Sequence, residues 1–187
     1  MTSNEAVVAM IDALEAAQVP YVLVGAYACN VYGVPRATKD ADIVVQLKPE
    51  SIAELCTHLD QRFRLEPQMS FESVTATSRH IVHVAGMSFD IELFCVGDDP
   101  HDRERFARRQ TVSQWNRRVY VLAAEDVVVT KLRWAHHAGR AKDADDARNV
   151  IAVHGDNLDW DYIHRWCDQH GTHELLDEIR RSIPPGI

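Results

Sequence analysis

Long apolar runs are absent from this 187-residue chain. None approaches the roughly 20 residues that a membrane-spanning helix needs, so no membrane partner is expected. Cysteine is sparse. Cys29, Cys56, Cys95 and Cys167 lie far apart and form no CxxC pair, which argues against a paired-cysteine metal or redox motif and reads as reduced thiols in a cytoplasmic protein. Positive charge is in deficit, with 20 Lys and Arg against 28 Asp and Glu and a net charge of −8. Such a chain is a poor general DNA binder, because it cannot neutralise phosphates broadly. The N-terminal stretch carries acids and no basic region, so it does not read as a signal peptide. Internal repeats and low-complexity segments are also lacking.

What is present is an ordinary globular composition, 46% hydrophobic and 26% charged. That suffices for one sizeable core, or for one core with a helical appendage. Thr2 and Glu5 have capping-box spacing, and Val7, Ile11 and Leu14 follow at helical spacing, so residues 4–17 read as an amphipathic helix. Residues 21–24 form a short apolar run that stops at Gly25 and read as a buried strand. A short helix-compatible stretch then closes at Gly33. Residues 40–47 read as a second strand, and Pro49 opens a helix over 50–60. Residues 80–84 and 87–96 read as a hairpin joined at Ala85 and Gly86. Residues 98–109 read as irregular or weakly helical, and 111–123 as one further strand. From Ala124 the character changes. Residues 125–138, 143–153, 160–170 and 173–182 read as helices punctuated by Gly139, Gly155 and Gly171. Strands therefore precede a run of helices. The fold class is α+β, a mixed or antiparallel sheet flanked by helices, with a core over 1–123 and a helical region over 124–187 packed on that core.

The residues that carry chemistry are carboxylates. Asp40 and Asp42 are one residue apart, so on a strand their side chains share a face. Two acids so close repel unless a cation lies between them, and a hard cation such as magnesium prefers oxygen ligands. Taken alone, the pair reads first as two hydrated acids at a strand start. Asp90 and Glu92 form a second alternating pair, opposed by Phe89, Ile91 and Leu93. They read either as the wet face of an amphipathic strand or as the source of a third carboxylate, Asp90. Three carboxylates can hold two metal ions about 4 Å apart, an arrangement that clamps the attacking and leaving oxygens in phosphoryl transfer. Gly25, between strand and helix, lets a phosphate approach backbone N–H groups, or simply makes a tight turn.

Together these pieces resemble the nucleotidyltransferase superfamily related to DNA polymerase β. Its signature is a strand ending in Gly-Gly or Gly-Ser, a short helix, a strand bearing Asp-x-Asp, and a later strand bearing a third Asp. The chain is most similar to the abortive-infection toxin type (AbiEii-like) at Arg36-x-Thr38-x-Asp40-x-Asp42, at Glu125-Asp126 with Lys131, and at Arg140-x-Lys142-Asp143 with Asp146. The resemblance covers roughly residues 5–153. It departs from the pattern at Ala26, where the superfamily has Gly or Ser, so only a backbone N–H is offered there.

The resemblance implies a core fold of that superfamily and transfer of a nucleoside monophosphate from a triphosphate to a hydroxyl. The acceptor would be a tRNA end, a protein or a small molecule, and the setting a toxin with an antitoxin partner. It implies Asp40, Asp42 and Asp90 as catalytic metal ligands for magnesium, two ions, with manganese as an alternative. It implies Gly25, Ala26, Arg36, Thr38 and Lys131 as nucleotide contacts. Glu92, Lys142, Asp143 and Asp146 are secondary candidates. The last three share a helical face by their spacing and also fit a structural ion-pair network, just as Lys131 also fits a hydrated helix lysine. A binding module of the same fold, without turnover, is the rival reading, favoured by Ala26. A phosphohydrolase using the same carboxylates is weaker. Arg103, Arg105, Arg108, Arg109, Arg117 and Arg118 form a local basic excess that suits either a polyanion such as a tRNA end or a hydrated loop. His101, His136, His137 and His154 match no zinc spacing, and residues 143–148 lack the glycine of a calcium loop.

Overall fold

Thr2 opens the first helix as the spacing requires. Its hydroxyl accepts from the Glu5 backbone and the Glu5 side chain accepts from the Thr2 backbone, a complete capping box at the head of α1 (Ser3–Ala16). The apolar stripe of α1 buries Val7, Met10, Ile11 and Leu14. The computed structural model describes residues 1–48, 51–72, 74 and 77–184. The expected helix start at Pro49 and Glu50 lies outside them. The helix that follows is α3, Ser51–Thr57.

The chain divides into two compact units, each discontinuous in sequence. The first comprises Met1–Val24 and Thr38–Val121, the second Gly25–Ala37 and Leu122–Ile187. Residues 25–37 group with the C-terminal helices.

The first unit is built on one mixed sheet. Its strands are β1 (Tyr21–Leu23), β2 (Asp40–Val45), β3 (Phe63–Leu65), β4 (Ser70–Glu72), β5 (Thr77–Val84), β6 (Asp90–Cys95), β7 (Gln110–Gln114) and β8 (Arg117–Val121). The order is β3-β5-β6-β2-β1-β8-β7, with β4 also paired to β5. β2 runs parallel to β6 and β1 parallel to β8; the other pairings are antiparallel. Central β1 is buried at all three residues, as expected of a strand covered on both faces.

One sequence expectation is corrected here, and of the two alternatives open for residues 98–109 the helical one holds. Residues 111–123 are not one strand but the hairpin β7–β8, reversed at Trp115 and Asn116. Both turn residues have positive φ, 49° and 61°, the backbone of a type I′ turn. The usual signal for that turn is Asn-Gly, and a tryptophan at its first position reads as strand. Residues 98–109 contain a true helix, α4 (Pro100–Ala107), capped by the Asp99 side chain, which accepts from the backbone of His101 (2.8 Å) and Asp102 (3.3 Å). Its buried face is polar, with His101, Asp102 and Arg105 beside Phe106, so hydrophobic periodicity conceals it.

The second unit is helical: α2 (Gly25–Tyr32), α5 (Ala124–Ala138), α6 (Ala141–His154), a 3₁₀ turn (Gly155–Asn157), α7 (Trp160–His170) and α8 (His173–Ser182). The four long helices match their sequence readings to within two residues. Val127, Val128, Leu132, Val150, Ile163, Trp166 and Leu176 fill its core. Among the described residues no helix is long and apolar enough to cross a membrane.

Candidate active site

The parallel pairing of β2 with β6 places Asp40 opposite Asp90 and Asp42 opposite Glu92. Partners in a ladder project to the same side, and alternate residues share a face. All four acids therefore stand on one face of two adjacent strands. The intervening Ala41, Ile43, Ile91 and Leu93 are fully buried on the other. This alternation explains how a strand can bear so many acids: half its residues secure it to the core while the other half stay near water.

Neighbouring groups differentiate the four. Thr38 donates its hydroxyl to Asp40 Oδ1 at 2.7 Å. The Asp42 carbonyl accepts from the Val24 backbone at 3.0 Å, which ties β2 to the end of β1. Glu92 is charge-compensated, since Arg79 Nη1 lies 2.8 Å from Oε2 and the guanidinium also stacks 5.9 Å from the Phe94 ring centre. Asp90 meets a histidine instead. The antiparallel β5–β6 register sets His83 opposite Asp90. His83 Nδ1 lies 2.9 Å from Asp90 Oδ1, and Nε2 lies 2.7 Å from Glu66 Oε2. Hydrogen bonds to Glu66 and then Asp90 raise the imidazole pKa above its ordinary value.

The donor set on this face, carboxylate oxygens near solvent, suits a hard divalent cation. Asp40, Asp42 and Asp90 could offer such oxygens, although Asp90 is paired with His83 just as Glu92 is paired with Arg79. Among the described residues no three carboxylate, imidazole or thiol groups converge closely enough to hold a metal ion. The acids are aligned along one face rather than closed around a point.

Of the expected nucleotide contacts, Thr38 belongs to the first unit and Gly25, Ala26, Arg36 and Lys131 to the second. Gly25 opens α2 with φ of 57°, a left-handed conformation that glycine adopts without strain. Ala26 is buried, its methyl part of the helix packing. Arg36 and Lys131 belong to a charge network. Arg36 donates Nε to Asp146 Oδ1 at 2.8 Å and Nη2 to Oδ2 at 2.7 Å, a bidentate pair. Lys131 Nζ lies 2.6 Å from Asp143 Oδ1 and 2.9 Å from Asp146 Oδ2. Arg140 Nε lies 3.1 Å from Asp143 Oδ2. Lys131 is only 8% exposed, so it is not a hydrated lysine. Burial opposes its charge, and the two carboxylates more than offset that, leaving its pKa above the usual lysine value. Burial pushes the nearby Cys29 thiol up to about 12, so it is neutral at pH 7. No contact of Lys142 enters this network.

No protein-family model matches the chain, and no curated protein matches it in sequence. Solved structures do resemble it. The antibiotic-resistance factor ANT(2'')-Ia in solution superposes with a TM-score of 0.61 at 11% identity, covering 94% of both chains. The crystal structure of ANT(2'')-Ia with adenylyl-2''-tobramycin gives 0.60 at 11% identity, over 91% of this chain and 97% of that one. An antigenic nucleotidyltransferase-like protein from Paracoccidioides brasiliensis gives 0.55 at 17% identity, over 94% and 91%. The fold is that of the nucleotidyltransferases.

In this nucleotidyltransferase fold three arginines of the basic stretch pair with acids of the same unit. Arg103 pairs with Asp98, Arg105 with buried Asp102 at 2.8 Å, and Arg117 with Asp12 and Glu15. Arg109 stacks between the rings of Phe106 (4.8 Å) and Tyr120 (5.2 Å). These contacts fit a structural role for the arginines better than a polyanion surface. Sequence reasoning also missed His83, Glu66 and Arg79. Counting back from Asp90 across the hairpin would have found His83, once the connection was known to span residues 85–89. Glu66 reaches the site through β3, whose pairing no short-range pattern announces.

Proposed function

We propose that this chain is a metal-dependent nucleotidyltransferase, moving a nucleoside monophosphate from a nucleoside triphosphate to a hydroxyl acceptor. The observation that carries the reading is the register of β2 and β6, which aligns Asp40, Asp42 and Asp90 on one face of a nucleotidyltransferase-like sheet. In this reading those three carboxylates hold magnesium, two ions, with manganese as an alternative. Bound there, the metal would disperse the triphosphate charge and relieve the repulsion among the acids. Thr38 fixes the rotamer of Asp40 through its 2.7 Å hydrogen bond. The acceptor oxygen forms a bond to the α-phosphorus while the bond from that phosphorus to the β-bridging oxygen breaks, and pyrophosphate leaves with the bonding pair. The hydroxyl proton passes to the Asp90 carboxylate. Positioning and electrostatics supply most of the acceleration, as in phosphoryl transfer generally.

The backbone N–H groups of Gly25 and Ala26 are the proposed phosphate contacts of the second unit. Arg36 and Lys131 would join them only by exchanging a carboxylate for a phosphate. Likeness to ANT(2'')-Ia, which was crystallised with an adenylylated tobramycin, supports a small-molecule acceptor. The abortive-infection toxin resemblance instead supports a tRNA end or a protein, in a toxin with an antitoxin partner. The rival, a nucleotide- or protein-binding module without turnover, is supported by Ala26, whose side chain offers no hydroxyl.

The test is incubation with each α-labelled triphosphate, magnesium, and RNA, protein or small-molecule acceptors. Label transfer that Asp40→Ala and Asp42→Ala each abolish supports the enzyme. Nucleotide binding with no transfer to any acceptor supports the module.

A further inference from the structure

Among the described residues, His83 is the one imidazole on the acidic face with a carboxylate on each ring nitrogen. Its position is built from three directions. The β5–β6 ladder fixes its backbone opposite Asp90, with the flanking pair Val82 and Ile91 buried on the other face. Glu66 holds the far ring nitrogen at 2.7 Å, and the Glu66 backbone N–H is itself anchored on the Ile81 carbonyl at 2.8 Å. The near nitrogen then meets Asp90 Oδ1 at 2.9 Å and leaves Oδ2 without a ring contact. A carboxylate on a strand end can rotate about two side-chain torsions, and one donor fixed by a second-row partner removes that freedom. Arg79, itself held by Ser70 Oγ at 3.0 Å, pairs with Glu92 in the same way, through a longer arm.

We propose that His83 is a positioning residue, which through its Nδ1 contact orients Asp90 so that the free oxygen is presented beside Asp40, with Glu66 fixing the ring. The inference rests on the metal-face reading of Asp40, Asp42 and Asp90. Outer partners of this kind typically carry about 10–100-fold in metal affinity. The geometry makes a sharper demand than a simple loss. Asparagine places an amide N–H2 close to where Nδ1 lies, so it can still donate to Asp90 while losing Glu66. Glutamine reaches to the place of Nε2, so it keeps Glu66 and loses Asp90. Asn at position 83 should therefore rescue, and Gln should not.

The experiment is titration of the full-length protein with Mn²⁺ alone, following free metal by its paramagnetic resonance signal, for wild type and for His83→Ala, His83→Asn, His83→Gln and Asp40→Asn. Thermal unfolding of each variant reads fold integrity separately. The expected result is affinity lowered about 10–100-fold in His83→Ala and His83→Gln. His83→Asn should lie within about threefold of wild type, and unfolding temperatures should not follow the same order. If Asp40→Asn weakens binding while His83→Ala binds as tightly as wild type or more tightly, the positioning role is overturned and the metal-face reading stands. Equal losses in His83→Asn and His83→Gln also overturn it. If wild type and Asp40→Asn bind Mn²⁺ equally or not at all, the metal-face reading fails, and this inference with it.

Discussion

Asp146 is the residue whose removal should cost the second unit most for a single polar substitution. It is 4% exposed, yet it accepts three charged hydrogen bonds, at 2.8 and 2.7 Å from Arg36 and at 2.9 Å from Lys131. Removing one partner of a buried ion pair costs about 3–5 kcal/mol, because the remaining charge is left without compensation. Two features place this site at the lower end. Lys131 keeps Asp143 at 2.6 Å, and the Arg36 side chain is 34% exposed, so water can take over part of its shell. The expectation for Asp146→Asn is therefore a loss of about 3 kcal/mol. The amide keeps the shape of the carboxylate but turns an N–H2 donor toward groups that are themselves donors. For a chain of this length, each kcal/mol moves the midpoint by about 2–4 °C, so the thermal transition should fall by about 6–12 °C. Circular dichroism of the helical signal during heating is the assay, with urea unfolding at 25 °C as the check. A double-mutant cycle with Lys131→Met should give a coupling energy of about 1–3 kcal/mol between the two positions. A midpoint within about 2 °C of wild type, or a coupling energy near zero, would refute the claim that this network is buried and mutually dependent.

The same carboxylate sets an acid response. Burial would raise the Asp146 pKa, but the Arg36 and Lys131 contacts outweigh it and hold it below the ordinary aspartate value. A depressed folded pKa stabilises the protein above the unfolded pKa of about 3.9 and loses that contribution as pH falls through the lower folded value. The stability gap between wild type and Asp146→Asn should thus be constant from pH 7 to 5 and close below about pH 4 in urea titrations. Tyr162 donates its hydroxyl to fully buried Asp126 at 2.5 Å, so Tyr162→Phe should lower stability by about 1–3 kcal/mol, read by the same unfolding curves. Asn116, at φ of 61° in the β7–β8 turn, should tolerate glycine; Asn116→Gly is expected to leave stability unchanged or raise it by a few tenths of a kcal/mol, and a loss above about 1 kcal/mol would show that its side chain holds the turn.

The sequence by itself determined the elements whose signals are local. A capping box and an apolar stripe define α1, and periodicity at 3.6 residues with glycine stops defines α5 to α8, because helical hydrogen bonds and side-chain neighbours lie within four residues. It also placed Asp40 with Asp42 and Asp90 with Glu92 on common faces, since alternation along a strand is fixed by the backbone. Only the tertiary structure decided which strands meet. The parallel β2–β6 pairing joins residues 50 apart, and no pattern within either strand selects that partner or its register. The same holds for Glu66, brought to His83 by β3, and for Arg36, brought to Asp146 across 110 residues. Long-range pairing likewise decided the fate of Lys131. A lone lysine on a helix reads as hydrated; packing in the second unit buries it between two carboxylates. The Asp40-x-Asp42 motif was legible from the chain because a strand alternates every two residues. Its neighbours Asp90 and His83 came from sheet order, which is set by burial of the whole apolar surface rather than by any short stretch of sequence.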